Sequence, residues 1–393
     1  MLRYLTAGES HGKALVVVVE GLPAGLPVTV EQVQAELRRR RLGFGRGPRM
    51  RFETDDVTLL GGVRHGRTLG APVAIEIANA EWERKWTAEM SPAPGRPDPA
   101  KVLTQPRPGH ADLAGMQKYG FDDARDVLER ASARETAARV AAGTLAKLLL
   151  SHLGMSVVSH VVQLGPVTAD GRRPGPADLE RVDESPVRVA DPSAEPKMVA
   201  AVKAAAKDGD SLGGLVEVLA YNVPVGLGSH VHWDRKLDGL LAQALMSIHA
   251  VKAVEVGEGW DVAGRRGSEA HDAIRIEDGE FRRRTTRAGG IEGGISIGGL
   301  VVARLAMKPL STLNRPVLET VDVATGEPTI SFKERTDVTA LPAMGVVAET
   351  MTALVLAGES LRKFGGDSLA EVVRNRDGFV ASLGETLSGP IGP

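Results

Sequence analysis

The chain has 393 residues, 42% of them hydrophobic, a net charge of −2 and no cysteine. That length supports a large core, and the near-neutral balance argues against a partner, nucleic acid or membrane, that covers the whole surface. The missing cysteines exclude disulfides, thiolate metal sites and a cysteine nucleophile, and they fit a cytoplasmic location.

No basic segment followed by a long apolar stretch opens the chain, so no signal peptide is expected. The run Ala14–Val19, like every other apolar run, reads as too short to cross a bilayer. Residues 13–19 (KALVVVV) predict a buried strand that stops at Glu20-Gly21-Leu22-Pro23. Thr29 is placed to cap a helix to about Arg41, with Val30, Val33 and Leu37 on one face. Short strands are expected over Val57–Val63 and Pro72–Ala78. Residues 91–109, rich in Pro and Gly, cannot be regular structure.

A long Ala-rich helix is expected from Asp122 to Leu153, with Gly154 ending it, followed by a strand over Val157–Leu164. Residues 165–192 read as a surface excursion with at most one short helix. Then come a helix over Ala194–Ala206, a strand over Leu215–Tyr221, a helix over Arg235–Val251 and a lead at Ala253–Val256. A strand over Val301–Met307, a helix over Leu341–Leu361 ended by Gly365-Gly366, and a frayed tail over Leu387–Pro393 complete the chain. Mobile loops are expected near 38–52, 91–110 and 261–290. The irregular alternation of strands and helices indicates α+β with largely antiparallel sheets, and no linker divides the chain, so a single domain is expected.

Chemistry concentrates in a few segments. Gly8-Glu9-Ser10-His11-Gly12 places a hydroxyl and a titratable ring between glycines that let backbone approach a ligand. Arg107-Pro108-Gly109-His110-Ala111-Asp112 repeats the theme with an anion-binding arginine. Arg is more than twice as common as Lys, and Arg40, Arg46 and Arg49 sit in RRRRLGFGRGPR, a glycine-rich stretch suited to phosphate but matching neither a dinucleotide fingerprint nor a P-loop. A phosphotransferase is disfavoured by that missing loop. RNA binding is the rival for this stretch, but aromatics, which RNA would want interleaved with the charge, are 4% of the chain. Glu129–Thr136 reads from its residues alone as a charged helix face, although Ser132 and Arg134 can serve an anion. Lys308–Thr312 offers an ammonium and two hydroxyls, and Asp337 beside Arg335 is either a structural pair or an enclosed base. His65, His152, His160, His230, His232 and His271 receive no role, and no metal site is expected.

Together these motifs resemble the chorismate synthase family along essentially the whole chain. GESHG with KALVVVVEGLP is similar to the family's first signature, ERASARETAARVAAGTL to its second and RTDVTALPAMGVVAE to its third, with RRRxxGFGRGxRM, GVRHGRTLGAPV, RPGHADLAG and MKPLSTL between them. The resemblance implies a lyase converting 5-enolpyruvylshikimate 3-phosphate to chorismate by anti-1,4-elimination, using reduced FMN without net redox change. It implies that His11 protonates the leaving phosphate, that His110 partners the flavin near N1, and that Asp337, with flavin N5, removes the ring proton. Ser10, Arg46, Arg49, Arg107, Ser132, Arg134 and Arg335 would hold substrate. Arg40, Arg46, Arg130, Ala131, Ser132, His249, Ala250, Gly293, Lys308, Pro309, Leu310, Ser311, Thr312 and Arg335 would hold the flavin. The implied fold layers helices between antiparallel four-stranded sheets, in a homotetramer, with NADPH entering only indirectly through an external flavin reductase. Three positions depart from the pattern: His249 for a common Asn or Gln, Ile297 for a polar residue and Thr336 for Ser.

Overall fold

The computed structural model describes residues 2–47, 53–170, 172–277, 280–332 and 337–388. Arg49, Arg335, Thr336 and the expected tail beyond residue 388 lie outside the described residues. Two antiparallel sheets enclose a helical layer. The first has four strands, β1 (Arg3–Ala7), β2 (Ala14–Glu20), β3 (Val57–Gly61) and β4 (Val73–Ala78), in the order β1-β2-β4-β3. The second has five, β5 (Ser156–Leu164), β6 (Val167–Thr168), β7 (Gly214–Val223), β8 (Val251–Val256) and β9 (Gly299–Met307), in the order β8-β9-β7-β5-β6. The architecture is the α+β arrangement expected, with a fifth strand where the resemblance implied four.

β2 corrects one expectation. Its continuous apolar run reads as buried on both faces, but only Leu15, Val17 and Val19 point inward, and Val18 is exposed on the outer face. Strand pleating decides this, since successive side chains alternate between faces.

Helix α1 (Val30–Arg41) begins as predicted, with Thr29 accepting from the Gln32 N–H and the Gln32 side chain reaching back to the Thr29 N–H. Residues 38–41, grouped with an expected mobile loop, are its last turn. The long helix expected from 122 to 153 is two: α2 (Arg125–Ala131) and α3 (Thr136–His152), parted by an extended Ser132 and a short turn over Ala133–Glu135. α4 (Glu195–Asp208) follows, then α5 (Leu237–Met246), which stops short of the expected Val251 because that residue opens β8.

α3 packs on β2 and on α6 (Leu341–Phe364), and α6 packs on β5 and β7, so these two helices form the middle layer. They cross closely at Gly143, where a Cβ would meet the Thr350 side chain at 2.2 Å. α6 corrects the reading that every apolar run is too short to span a bilayer. Among the described residues it is the one helix long and apolar enough by length and composition, and 89% of its apolar window is buried inside the protein. A core between two sheets explains that composition without a membrane. A final helix, α7 (Leu369–Ser388), was not anticipated. Residues 165–192 are less superficial than expected, because Val187 and Arg188 have no exposed surface. Residues 261–290 carry two short helices and a hairpin, Ile274–Glu277 with Glu280–Arg283.

Candidate active site

A cavity of about 820 Å³ opens where the middle layer meets the loops. Its wall is drawn from distant parts of the chain: the β1–β2 loop, the end of α1, the 107–111 loop, the break before α3, the α5–β8 junction, the end of β9 and the start of α6. Two glycines shape the entry. Gly8 has φ +98°, and a Cβ there would fall 2.3 Å from the Ala14 carbonyl oxygen, so only glycine lets the loop fold this tightly onto β2. Gly109, at φ +75°, turns the second histidine loop beside Lys308.

His11 is held on three sides. Its Nδ1 lies 2.9 and 3.0 Å from the Glu129 carboxylate oxygens, and its backbone N–H donates to the same carboxylate at 2.9 Å. Its ring stacks on Trp86 at 4.0 Å between centroids. The carboxylate fixes a proton on Nδ1 and leaves Nε2 as the nitrogen for chemistry. Burial of Glu129 works to raise its pKa, but hydrogen bonds and charge from His11, with help from Arg125, hold it below the usual value. Ser10 is buried beside this pair, and the Ser132 hydroxyl donates to its Oγ at 3.2 Å.

The second group is a buried arginine pair around one carboxylate. Arg134 donates to Asp55, to Asn79 Oδ1 at 2.9 Å and to the Ala78 carbonyl at 3.2 Å. Arg40 lies 3.5 Å from the other Asp55 oxygen and donates to Thr136 Oγ1 at 3.4 Å. Burial pulls the Arg40 guanidinium down to about 10; Asp55 resists this, while Arg134 and Arg46 add to it. Burial of Asp55 favours its neutral form, but Arg40 and Arg134 overcome it and keep its pKa low.

The third group surrounds His110. Its Nδ1 contacts Asp112 Oδ1 at 2.5 Å, and Arg107 donates to Asp112 through its backbone N–H (3.1 Å) and Nε (2.8 Å). Desolvation opposes ionisation of Asp112, yet His110 and Arg107 together hold its carboxyl well below the usual range. Arg107 also donates to Thr312 Oγ1 at 3.3 Å, and Lys308 Nζ donates to the Gly109 carbonyl at 2.5 Å, so the 308–312 segment is tied to the histidine loop. Asp337 stands apart, with Oδ1 accepting from the Gly47 N–H at 2.5 Å and Oδ2 lying 3.2 Å from Arg46 Nη1.

His249 lines the cavity with a buried Nδ1 that has no hydrogen-bond partner. Burial drives its pKa down to about 4; Glu135 opposes this, and Arg139, His110 and Arg130 add to it. Ala250 follows in the left-handed region at φ +66°, a conformation costly for a residue with a Cβ.

The cavity wall thus brings together His11, His110, Asp337, Ser10, Arg40, Arg46, Arg107, Ala131, Ser132, Arg134, His249, Ala250 and Lys308–Thr312. Two expected residues fall elsewhere. Arg130 is not part of the wall; its guanidinium donates to the Thr6 and Gly8 carbonyls at 2.9 Å and acts on His249 only through its charge. Gly293 sits in the turn between Ile291–Glu292 and Ile295–Ser296, outside the wall. The reading of Glu129–Thr136 as a charged helix face is corrected, since Glu129 and Arg134 are buried. Sequence reasoning missed Lys85, Glu81 and Thr136 on the wall and Trp86 and Glu129 behind it. The tryptophan sat in plain view, but its partner lies 75 positions earlier in the chain and no local pattern joins them.

The family model described as chorismate synthase matches residues 2–361. A chorismate synthase of Salinispora tropica is 60% identical over 392 residues, covering 98% of this chain and 99% of the relative. One from Thermobifida fusca is 57% identical over 392 residues, with the same coverage. A crystal structure of a chorismate synthase superimposes with a TM-score of 0.78 at 38% identity, over 98% of both chains. The chain therefore belongs to the chorismate synthase family, a lyase family of aromatic amino-acid biosynthesis.

Proposed function

We propose that this enzyme converts 5-enolpyruvylshikimate 3-phosphate to chorismate and phosphate by anti-1,4-elimination, and that it requires reduced FMN. One observation carries the reading. The cavity wall holds six cationic side chains, Arg40, Arg46, Lys85, Arg107, Arg134 and Lys308, against two carboxylates, Glu81 and Asp337, a surplus of four (6 − 2) before any histidine is counted. Behind the wall, Asp55 meets Arg40 and Arg134, and Asp112 meets Arg107, so part of that charge is already paired. The face toward the cavity still carries more cations than carboxylates, which suits anions. A substrate with a phosphate and carboxylates, beside a phosphate-bearing flavin, supplies them.

The residues also fit the flavin. Buried Arg40 Nε and His249 Nδ1 have no hydrogen-bond partner, on residues that line the cavity. Arg40, Ala131, Ser132, His249, Ala250 and Lys308–Thr312 would hold it, with His110 beside its ring. When bound, the reduced flavin lends reducing power that is returned within the cycle, which explains its need without net redox change.

The protein's own steps are proton transfers and binding. His11, with Nδ1 on Glu129, gives its Nε2 proton to the phosphate oxygen as the carbon–oxygen bond breaks and that oxygen keeps the electron pair. Asp337 takes the ring hydrogen as a proton from the far end of the 1,4 system. Arg46, Arg107 and Arg134, with Ser10 and Ser132, hold the substrate's anionic groups, and we extend that role to Arg49 and Arg335 from the family's pattern alone. The reading extends to a single domain, supported by one hydrophobic cluster running from Leu15 to Val372. It extends also to a cytoplasmic homotetramer fed by a separate flavin reductase.

The deciding assay mixes the protein with the phosphorylated substrate and dithionite-reduced FMN. Chorismate and phosphate in equal amounts are expected, and bound flavin with no product would overturn the proposal. Oxidised FMN with NADPH alone should give no turnover. His110→Ala and Asp337→Ala should each lose most turnover while staying folded; near-normal rates in both would void the role assignments.

A further inference from the structure

We propose that Trp86 is a positioning residue for His11, fixing the plane of the imidazole so that its Nε2 proton points at the leaving group; the inference rests on the acid role given to His11 above. Glu129 alone cannot do this. A carboxylate on Nδ1 sets the tautomer and one hydrogen-bond direction but leaves the ring free to tilt about that bond. The indole removes this freedom, because the two rings lie face to face at 4.0 Å with an interplanar angle of 23°.

The cage is closed by Arg125. Its guanidinium carbon lies 5.3 Å from the Trp86 ring centroid, and its Nη1 donates to Glu129 Oε1 at 3.1 Å. One arginine therefore braces both the indole and the carboxylate that hold His11. The Ser10 N–H adds a backbone tie to the Glu129 carbonyl at 2.9 Å.

Two features show that the indole is used for its face. Its Nε1 is buried with no hydrogen-bond partner, a cost that an aromatic placed for a polar contact would not carry. It also ends a single turn of π-helix, Trp82–Trp86, a widened turn of a kind frequent at functional sites. That turn sets Lys85 on the cavity wall and Trp86 behind His11.

The test combines kinetics with fluorescence. Trp86→Ala should lower kcat roughly 10- to 100-fold, the scale of a misaligned reacting group. Substrate KM and reduced-FMN affinity should change by less than about threefold, since binding groups stay in place. Trp86→Phe, which keeps a π face, should restore most of kcat. If the Ala variant does not fold, Trp86→Leu fills the space without a π face and should show the same fall. Emission is read as the difference between the wild type and Trp86→Phe, which isolates Trp86 from Trp82, Trp233 and Trp260. Substrate, or inorganic phosphate alone, should change that difference, and His11→Ala should abolish the response. A kcat within about twofold of wild type in the Ala or Leu variant, a loss confined to KM, or a phosphate response that survives His11→Ala would overturn the proposal. Failure of the wild type to make chorismate would count against the activity, whereas the phosphate response would still report on the stack.

Discussion

Arg39 and Arg40 are neighbours on the last turn of α1, and they live in opposite circumstances. Arg39 turns into the core, where its Nη1 and Nη2 reach Glu349 at 2.7 and 3.0 Å, its Nη1 reaches Glu36 at 2.8 Å and its Nε reaches Asp183 at 2.6 Å. Lys147 joins Glu36 and Glu349, and Arg188 joins Asp183 and Glu349, so three cations meet three carboxylates in a closed network. Arg40 turns to the cavity, shares Asp55 with Arg134, and keeps a buried Nε without a partner. Burial weakens the proton on both. For Arg39, Glu349 and Glu36 outweigh that and raise its pKa, whereas Arg40 is left at about 10. Arg188, inside the closed network, shares the lowered pKa of about 10 and a buried Nε without a partner. It is therefore the place of Arg40 on the cavity wall, beside fewer carboxylates, that sets it apart from Arg39.

The sharpest way to break this contrast is to open the closed network. Glu349→Ala leaves Arg39, Arg188 and Lys147 facing a void, and breaking a buried pair this way typically costs about 3–5 kcal/mol. Urea unfolding should show that loss without any ligand present. A loss below about 1 kcal/mol would mean that Glu349 is not the centre of the network.

The next effect belongs to the cavity. A ligand that binds only the folded state stabilises it by about 2.7 kcal/mol at one hundred times its dissociation constant. Substrate should therefore raise the thermal midpoint, and Glu349→Ala should show a similar increment on its lower baseline, because separated sites add. A ligand response that vanishes in Glu349→Ala would show that the two regions are one.

Much of this was legible in the chain, and the reasons for the rest are physical. Local signals worked where the cause is local. Thr29 and Gln32 sit three residues apart and form the capping box that starts α1, and Gly8 and Gly109 mark tight turns. Chemistry-bearing loops could be seen for the same reason, since His11 and His110 carry their glycines beside them. Partners distant in sequence could not be seen. Ser132 breaks a helix whose pattern runs on unbroken, and the nearby Arg134 is held by Asn79 and Asp55, residues of the first sheet and its loops. Arg188 sits in a polar stretch that reads as surface, yet Glu349 and Ser159 bury it. The flavin entered only through family resemblance, because no glycine-rich nucleotide loop announces it.

His249 tests the cavity side through pH. Its folded pKa of about 4 lies below the roughly 6.5 of an exposed histidine. Between those values the unfolded chain takes up a proton that folded His249 refuses, so stability falls as pH drops from about 6.5 to about 4; above that window the residue contributes nothing. The pull of Glu135 is already contained in the folded value, and the full loss across the window should be roughly 3 kcal/mol. His249→Asn should remove it. Unfolding midpoints at neutral and mildly acid pH that fall equally in both proteins would assign the acid sensitivity to other groups.

The smallest effect on stability should come from Arg40 itself, which makes it the most telling partner to Glu349. Replacing Arg40 by Met removes a costly buried charge and fills its space with an apolar chain. Asp55 is not orphaned, because Arg134 and Arg41 remain beside it. Stability should therefore move by no more than about 1 kcal/mol in either direction. Affinity should not be spared. A lost hydrogen bond to a charged ligand group is worth about 1.5–3 kcal/mol, so reduced FMN should bind roughly 10- to 100-fold more weakly. Equilibrium unfolding and flavin titration of one variant separate the two outcomes. A variant that unfolds like Glu349→Ala would place Arg40 in the core network, and the distinction between the neighbouring arginines would be lost.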